Sequence, residues 1–124
     1  MKTINHANGK TLQEYDEMSF AEVDEIIQKA NTAQKKWQSE SFGERAVYLN
    51  KMAKLLRDQK KELGRLMAKE MGKPVAQGIG EAEKCAWVCE FYAENAQEFL
   101  KNNVIKTDAS KSYVTFNPLG VVLA

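Results

Sequence analysis

Two cysteines are the residues best suited to chemistry in this chain. Cys85 and Cys89 are four residues apart, so both side chains lie on one face of any helix that contains them. A metal site would need further ligands, and the single histidine, His6, is far away in sequence. A catalytic thiol would need a neighbouring base or cation. Because free cysteine is usually buried, we interpret both as small hydrophobic core residues.

Other candidate motifs are weaker. Gly78 and Gly80 form only a G-x-G inside a helical stretch, not after a strand, so they do not meet the requirements of a dinucleotide-binding loop. One histidine cannot support a confident Ser/His/Asp or Cys/His constellation. Glu70 is the one notable carboxylate, because it falls in the last turn of a predicted helix, where the helix dipole disfavours an acid. It is otherwise an ordinary surface acid.

An aromatic cluster allows two interpretations. Trp87, Phe91 and Tyr92 lie close together on the third predicted helix. Their helical spacing is typical of core packing. They could instead line a hydrophobic substrate channel in a larger protein.

The composition excludes several classes of protein. Hydrophobic residues make up 44% of the 124 residues and charged residues 28%, which is typical of one folded domain and not of a disordered chain. The formal net charge is +1 and the charges are interspersed, so we expect no nucleic-acid partner and no membrane contact. The N-terminus has no secretory pattern, and we expect a cytoplasmic protein with reduced thiols.

The chain begins with a predicted hairpin followed by two helices. Asn8 and Gly9 predict a type I′ turn between extended residues 3–5 and 11–15. Two S-x-x-E capping boxes then begin the helices, Ser19 to Glu22 and Ser41 to Glu44. The first helix should end near residue 38 and the second at Gly72. The face of the second helix that carries Arg45 and Arg57 is predicted to be solvated.

A third helix is predicted over residues 75–101, behind Pro74. It is apolar on most sides between residues 85 and 96, which indicates partners that this chain is too short to provide. Residues 104–107 and 112–116 predict a two-stranded ribbon that pairs with further strands. Residues 121–124 read as a buried parallel strand, so we expect the chain to be the front of a larger protein.

Several segments together resemble NAD(P)-dependent aldehyde dehydrogenases. Residues 70–74 resemble the family's E-x-G-K-P segment, and residues 4–10 its opening N-P-x-T-G hairpin, with His6 in place of proline. Residues 41–46 resemble its F-x-E-R-A helix start, and residues 117–122 its P-x-G-V stretch. Within the family, residues 83–94 and 108–114 are most similar to the succinate-semialdehyde dehydrogenase branch.

The resemblance implies a fold. We expect an α-rich α/β fragment that comprises an N-terminal hairpin, three helices, a two-stranded ribbon and the first strand of a Rossmann-like domain. Residues 1–102 would form the hairpin and helical part of the cofactor-binding domain. Residues 103–117 would form an oligomerisation ribbon, and residues 118–124 the start of the parallel sheet.

The resemblance also implies an activity for the longer protein. It would oxidise an aldehyde, in particular succinic semialdehyde, to the carboxylic acid with NAD or NADP. The family's nucleophile, base and cofactor loop have no match here, and neither cysteine matches the nucleophile. The chain alone is expected to bind no cofactor and to be inactive. Its partners would be the rest of the dehydrogenase chain and other subunits, through residues 103–117.

Two groups of site residues follow from the same match. Lys84, Trp87 and Val88 resemble positions beside the substrate tunnel. Three residues resemble positions that hold a structural cation in some members, namely Thr3, Ile4 and Glu70. The alternative to a dehydrogenase fragment is a non-catalytic helical module that docks onto full-length subunits.

Overall fold

The computed structural model describes residues 1–123 and contains three helices and two small antiparallel strand pairs. The elements in chain order are β1 (Lys2–Ile4), β2 (Thr11–Glu14), α1 (Phe20–Trp37), α2 (Phe42–Met71), α3 (Val75–Phe99), β3 (Asn103–Val104) and β4 (Tyr113–Val114). The expected order of hairpin, three helices and ribbon is confirmed.

The loop of the hairpin differs from the prediction. Gly9 has a φ of 70°, but no non-glycine residue in the described part of the chain has a positive φ, so the type I′ turn at Asn8 and Gly9 is wrong. The loop is wider and is closed by the Asn5 N–H, which donates to the Lys10 carbonyl at 2.8 Å. The Asn8 side-chain oxygen accepts from the Lys10 N–H at 3.0 Å, and this local bond favours the wider loop.

Both predicted capping boxes are confirmed. The Ser19 hydroxyl accepts from the Glu22 N–H at 3.3 Å, and the Glu22 carboxylate accepts from the Ser19 N–H at 2.7 Å. The same reciprocal pair joins Ser41 and Glu44 at the start of α2. These hydrogen bonds stabilise the ionised carboxylates and lower the pKa of Glu22 and of Glu44. Gly72 ends α2 with a φ of 69°, as predicted.

The buried core lies between α2 and α3, which form a helical hairpin around a short connection. Its buried apolar side chains are all alanines, namely Ala53, Ala82 and Ala86. Gly64 and Gly78 are buried beside them. Small residues at this seam allow the two helix backbones to approach closely.

Ion pairs tie α2 to α3 along one edge of the seam. Arg57 donates two hydrogen bonds to the carboxylate of Glu90, one of them at 2.6 Å, and Lys60 pairs with Glu83. The bond from Arg57 lowers the pKa of Glu90. Arg57 is exposed, as predicted for this face, and its partner Glu90 is 33 residues away in sequence. The prediction of a solvated face is wrong for Arg45, which is half-buried and whose Nε atom is buried.

The remaining apolar surface of the helices is largely uncovered. No residue of α1 is buried, and Phe20 is 92% exposed. On α3, Trp87 is 58% exposed and Tyr92 50% exposed. The prediction that α3 is apolar on more sides than this chain covers agrees with these exposures, and its partners stay a prediction. Within the described residues, no helix is both long enough and apolar enough to cross a membrane.

The C-terminal part is less regular than predicted. The ribbon pairs Asn103 with Val114 and Val104 with Tyr113, so each strand has two residues. The buried strand expected over residues 121–124 does not form across Val121–Leu123, and Ala124 lies outside the described residues. A strand requires a hydrogen-bonded neighbour, and none of the described residues pairs with this stretch.

Candidate functional site

One face of α3 carries all three predicted tunnel residues. Lys84, Trp87 and Val88 are separated by three and four positions, which places them on one side of the helix. That side points away from Ala82 and Ala86, which are buried in the seam with α2. The structure therefore brings the three residues together on an exposed face.

An open groove of about 770 Å³ runs along this face and its flank. Lys84 and Val88 line it together with Cys85 and Cys89, whereas Trp87 lies beside it. Cys85 is exposed and Cys89 half-buried. The interpretation of both cysteines as core residues is thus wrong in this chain, because no described element covers the flank of α3.

The aromatic side chains of α3 pack on one another. Phe91 is the centre of this cluster, with ring centroids 6.0 Å from Trp87, 5.4 Å from Tyr92 and 5.8 Å from Phe99. These side chains are all more than a third exposed. They form a continuous apolar surface next to the groove and do not enter the helix–helix core.

The N-terminal hairpin sits on the last turn of α2. The His6 N–H donates to the Lys69 carbonyl at 3.1 Å, and the His6 ring lies against Gly72. The contact brings the strand that holds Thr3 and Ile4 to the helix end that holds Glu70.

The predicted cation ligands differ in exposure. Ile4 is 41% exposed, while Thr3 and Glu70 are half-buried. The Thr3 hydroxyl oxygen is buried and has no hydrogen-bond partner among the described residues. Within residues 1–123, no group of three or more His, Cys, Asp or Glu side chains is placed to hold a metal ion. A cation here would rely on hydroxyl, carbonyl and single carboxylate oxygens.

Comparison with known proteins finds similarity over almost the whole length of this chain. The profile of the aldehyde dehydrogenase family matches residues 1–124. The chain is 41% identical over 122 residues to a probable succinate-semialdehyde dehydrogenase [NADP(+)] from Synechocystis, covering 98% of this chain and 27% of that protein. It is 37% identical over 125 residues to succinate-semialdehyde dehydrogenase [NADP(+)] 1 of Mycobacterium tuberculosis, with the same coverage. It spans about a quarter of the length of these relatives.

Solved structures share the fold. Succinic semialdehyde dehydrogenase from Streptococcus pyogenes, in complex with NADP+, superposes with a TM-score of 0.85 at 30% identity, covering 92% of this chain and 25% of that one. NADP-dependent glyceraldehyde-3-phosphate dehydrogenase from Bacillus halodurans gives 0.79 at 31% identity, covering 90% of this chain and 24% of that one. This chain therefore belongs to the aldehyde dehydrogenase family.

Proposed function

We propose that this chain is the N-terminal part of an NAD(P)-dependent dehydrogenase that oxidises succinic semialdehyde, or a similar semialdehyde, to the carboxylic acid. The observation that carries the proposal is the 41% identity, over almost the whole chain, to a relative named for that substrate. The names of that relative and the mycobacterial one specify NADP, which favours NADP over NAD. The Bacillus halodurans structure shows that the fold also serves a different aldehyde.

In this proposal the chain supplies scaffold and not reactive groups. A dehydrogenase of this class uses a thiolate to attack the aldehyde, a nicotinamide to accept the hydride and water to release the acid. Cys85 and Cys89 are not matched to the nucleophile of the family. Residues 1–102 would support the cofactor-binding domain, and residues 118–124 would lead into its sheet. The partner that we expect to cover α3 is the rest of the dehydrogenase chain, and the whole would be cytoplasmic.

The exposed face of α3 is our candidate for one wall of the substrate tunnel. Trp87 and Val88 offer apolar surface, and Lys84 offers a positive charge at the same face. A semialdehyde with a distal carboxylate has an apolar chain and a negative end, and this face is complementary to both. We therefore expect substitutions here to raise KM more than they lower kcat.

The hairpin contact is our candidate for the structural cation site. A hard cation is held by oxygen atoms, and the unpartnered Thr3 hydroxyl and the half-buried Glu70 carboxylate are suitable donors. The Ile4 backbone carbonyl would complete the set taken from the family. Its contribution would be to fix the hairpin on the end of α2.

The ribbon is our candidate for the subunit interface within residues 103–117. Its two strands are short and exposed, and each has an outer edge without a described partner. Such an edge pairs readily with a strand from another subunit. We therefore expect the whole enzyme to be a homo-oligomer.

A transplant experiment tests the proposed function. Residues 1–124 would replace the matching segment of the Synechocystis relative, and the chimera would be assayed for NADP-dependent oxidation of succinic semialdehyde. We expect turnover within about tenfold of the parent, since the replaced segment holds no reactive group. A folded chimera that binds NADP but does not oxidise the aldehyde would contradict the proposal.

The non-catalytic docking module remains the second candidate. It is favoured by the uncovered apolar faces of α1 and α3. Mixing the purified chain with the intact Synechocystis relative and measuring co-elution by size exclusion distinguishes the two. Stable co-elution in fixed stoichiometry would favour the module, whereas separate elution would favour the dehydrogenase part.

A further inference from the structure

A cleft with one arginine lies at the start of α2, away from the groove on α3. Four separate stretches form it, namely the end of α1, the first turn of α2, Leu100 at the end of α3 and residues 116–120. Its volume is about 470 Å³, and an adjoining hollow of about 250 Å³ shares Trp37, Phe42, Arg45 and Leu100 with it. Clefts of roughly 300–1,000 Å³ are the size that small-molecule ligands occupy.

Among the residues that the structure describes, Arg45 is the only charged one that lines this cleft. Its guanidinium carbon lies 4.4 Å from the centroid of the Phe42 ring, so the cation stacks on the aromatic face. The Nε atom is buried and has no hydrogen-bond partner among residues 1–123. Within the same residues, no carboxylate forms an ion pair with Arg45, whereas Arg57 is paired with Glu90.

An unpaired buried N–H is unusual in a folded protein. Leaving such a donor without an acceptor costs free energy, more so when the group is charged, and each case calls for a missing partner. Stacking on Phe42 restrains the guanidinium, and its in-plane N–H groups are the fork that matches a carboxylate. The rest of the cleft combines the apolar side chains of Trp37, Leu100 and Phe116 with the amides of Gln34, Gln38 and Asn117.

We propose that this cleft binds a small monocarboxylate with an aliphatic tail. The carboxylate would accept hydrogen bonds from Arg45, and the tail would lie against Trp37 and Phe116. A single cation matches one negative charge, and the apolar side chains of Trp37, Leu100 and Phe116 match a hydrocarbon chain better than a hydrated polyanion such as phosphate. The site is separate from the proposed tunnel, and its test does not require dehydrogenase activity.

Ligand binding to the 124-residue chain tests the proposal. Trp37 is the reporter, in a Trp87→Phe background that leaves one tryptophan, and the probes are hexanoate and its neutral counterpart hexanamide. We expect saturable change in Trp37 emission with hexanoate and binding at least about tenfold weaker with hexanamide, since only the anion can make charged hydrogen bonds. No saturable change with hexanoate, or equal affinity for both compounds, would overturn the proposal.

Substitutions of Arg45 test whether hexanoate binds in this cleft. Arg45→Gln should weaken hexanoate binding by about tenfold or more, and Arg45→Lys should lie between it and the wild type, because it keeps the charge and loses the fork. Arg65→Gln is the matched control, since Arg65 is exposed on α2 and does not line the cleft. Unchanged affinity in a folded Arg45→Gln variant, or an equal loss in Arg65→Gln, would also overturn the proposal.

Discussion

Gly64 and Gly78 bring the backbones of α2 and α3 into direct contact. A β-carbon built on Gly78 would lie 2.8 Å from the Gly64 α-carbon and 3.1 Å from its carbonyl oxygen. A β-carbon built on Gly64 would lie 3.0 Å from the Ile79 backbone nitrogen. Because these neighbours are backbone atoms, a side chain at either position would force the helices apart. The two glycines therefore set the spacing of the only helix pair with a buried seam in the described residues.

Alanine substitutions at two nearby glycines should have opposite effects. Gly78→Ala should destabilise the chain by about 1–3 kcal/mol, the usual cost of overpacking. Gly80→Ala should stabilise it by roughly 0.5–1 kcal/mol, because a β-carbon there meets nothing within 4 Å and alanine favours the helix. Urea unfolding followed by far-UV circular dichroism measures both. Equal effects of the two substitutions would show that the backbones of α2 and α3 leave room for a β-carbon at Gly78.

Local signals in the sequence were sufficient to predict the helix boundaries. Ser19 and Ser41 begin their helices because each bonds to a glutamate three residues later, and Gly72 ends α2 because it adopts a left-handed conformation. The packing of Gly78 could not be predicted in this way. Its partner, Gly64, is 14 residues away in sequence. The sequence alone does not distinguish a glycine that allows close helix packing from one that only weakens a helix.

The candidate site was also only partly predictable. Lys84, Trp87 and Val88 were named from the family resemblance, and they share a face of α3 because three and four residues make about one turn. The exposure of Cys85 was not predictable from residue type, since burial depends on which elements cover the helix. Arg45 was missed as a site residue because its aromatic neighbours and the absence of an acid are visible only in the fold.

The pairing of Arg57 with Glu90 predicts a loss of stability in acid. The hydrogen bond from Arg57 lowers the pKa of folded Glu90 below the ordinary value of 4.5. The contribution of this pair to the free energy of unfolding is therefore present above about pH 4.5. It is lost as the pH falls through the lowered pKa of Glu90 in the folded state. Glu90→Gln should reduce the fall in Tm between pH 5 and pH 3, and Glu94→Gln should not. Because the pair is partly exposed, the difference should be small and should shrink in high salt.

The uncovered apolar faces of α1 and α3 predict that the isolated chain self-associates and binds hydrophobic probes. Phe20, Trp87 and Tyr92 are each at least half exposed, so the chain should bind a hydrophobic dye and self-associate at high concentration. Dye fluorescence and sedimentation measure this, and Trp87→Gln should reduce both signals relative to an exposed polar control such as Gln77→Ala. A monomer with a sharp two-state melt and no dye binding would be inconsistent with the exposed surface.

The two cysteines should differ in their accessibility to a thiol reagent. Cys85 is exposed and Cys89 is half-buried, so the native chain should show one faster and one slower thiol. Cys85→Ser should remove the faster phase, and Cys89→Ser the slower one. In the chimeric dehydrogenase, Cys85→Ala and Cys89→Ala should keep most of the turnover. A loss of about a thousandfold in a folded variant would instead identify that cysteine as part of a catalytic unit.

We propose that this chain supplies the scaffold of an aldehyde dehydrogenase and none of its reacting groups. The most direct test is a steady-state assay of the purified chain for oxidation of succinic semialdehyde, with NAD and with NADP, next to the Synechocystis relative as a positive control. We expect the chain to form no reduced cofactor above the buffer control with either nucleotide. Turnover that depends on both the aldehyde and the cofactor, and that co-purifies with the chain, would contradict it.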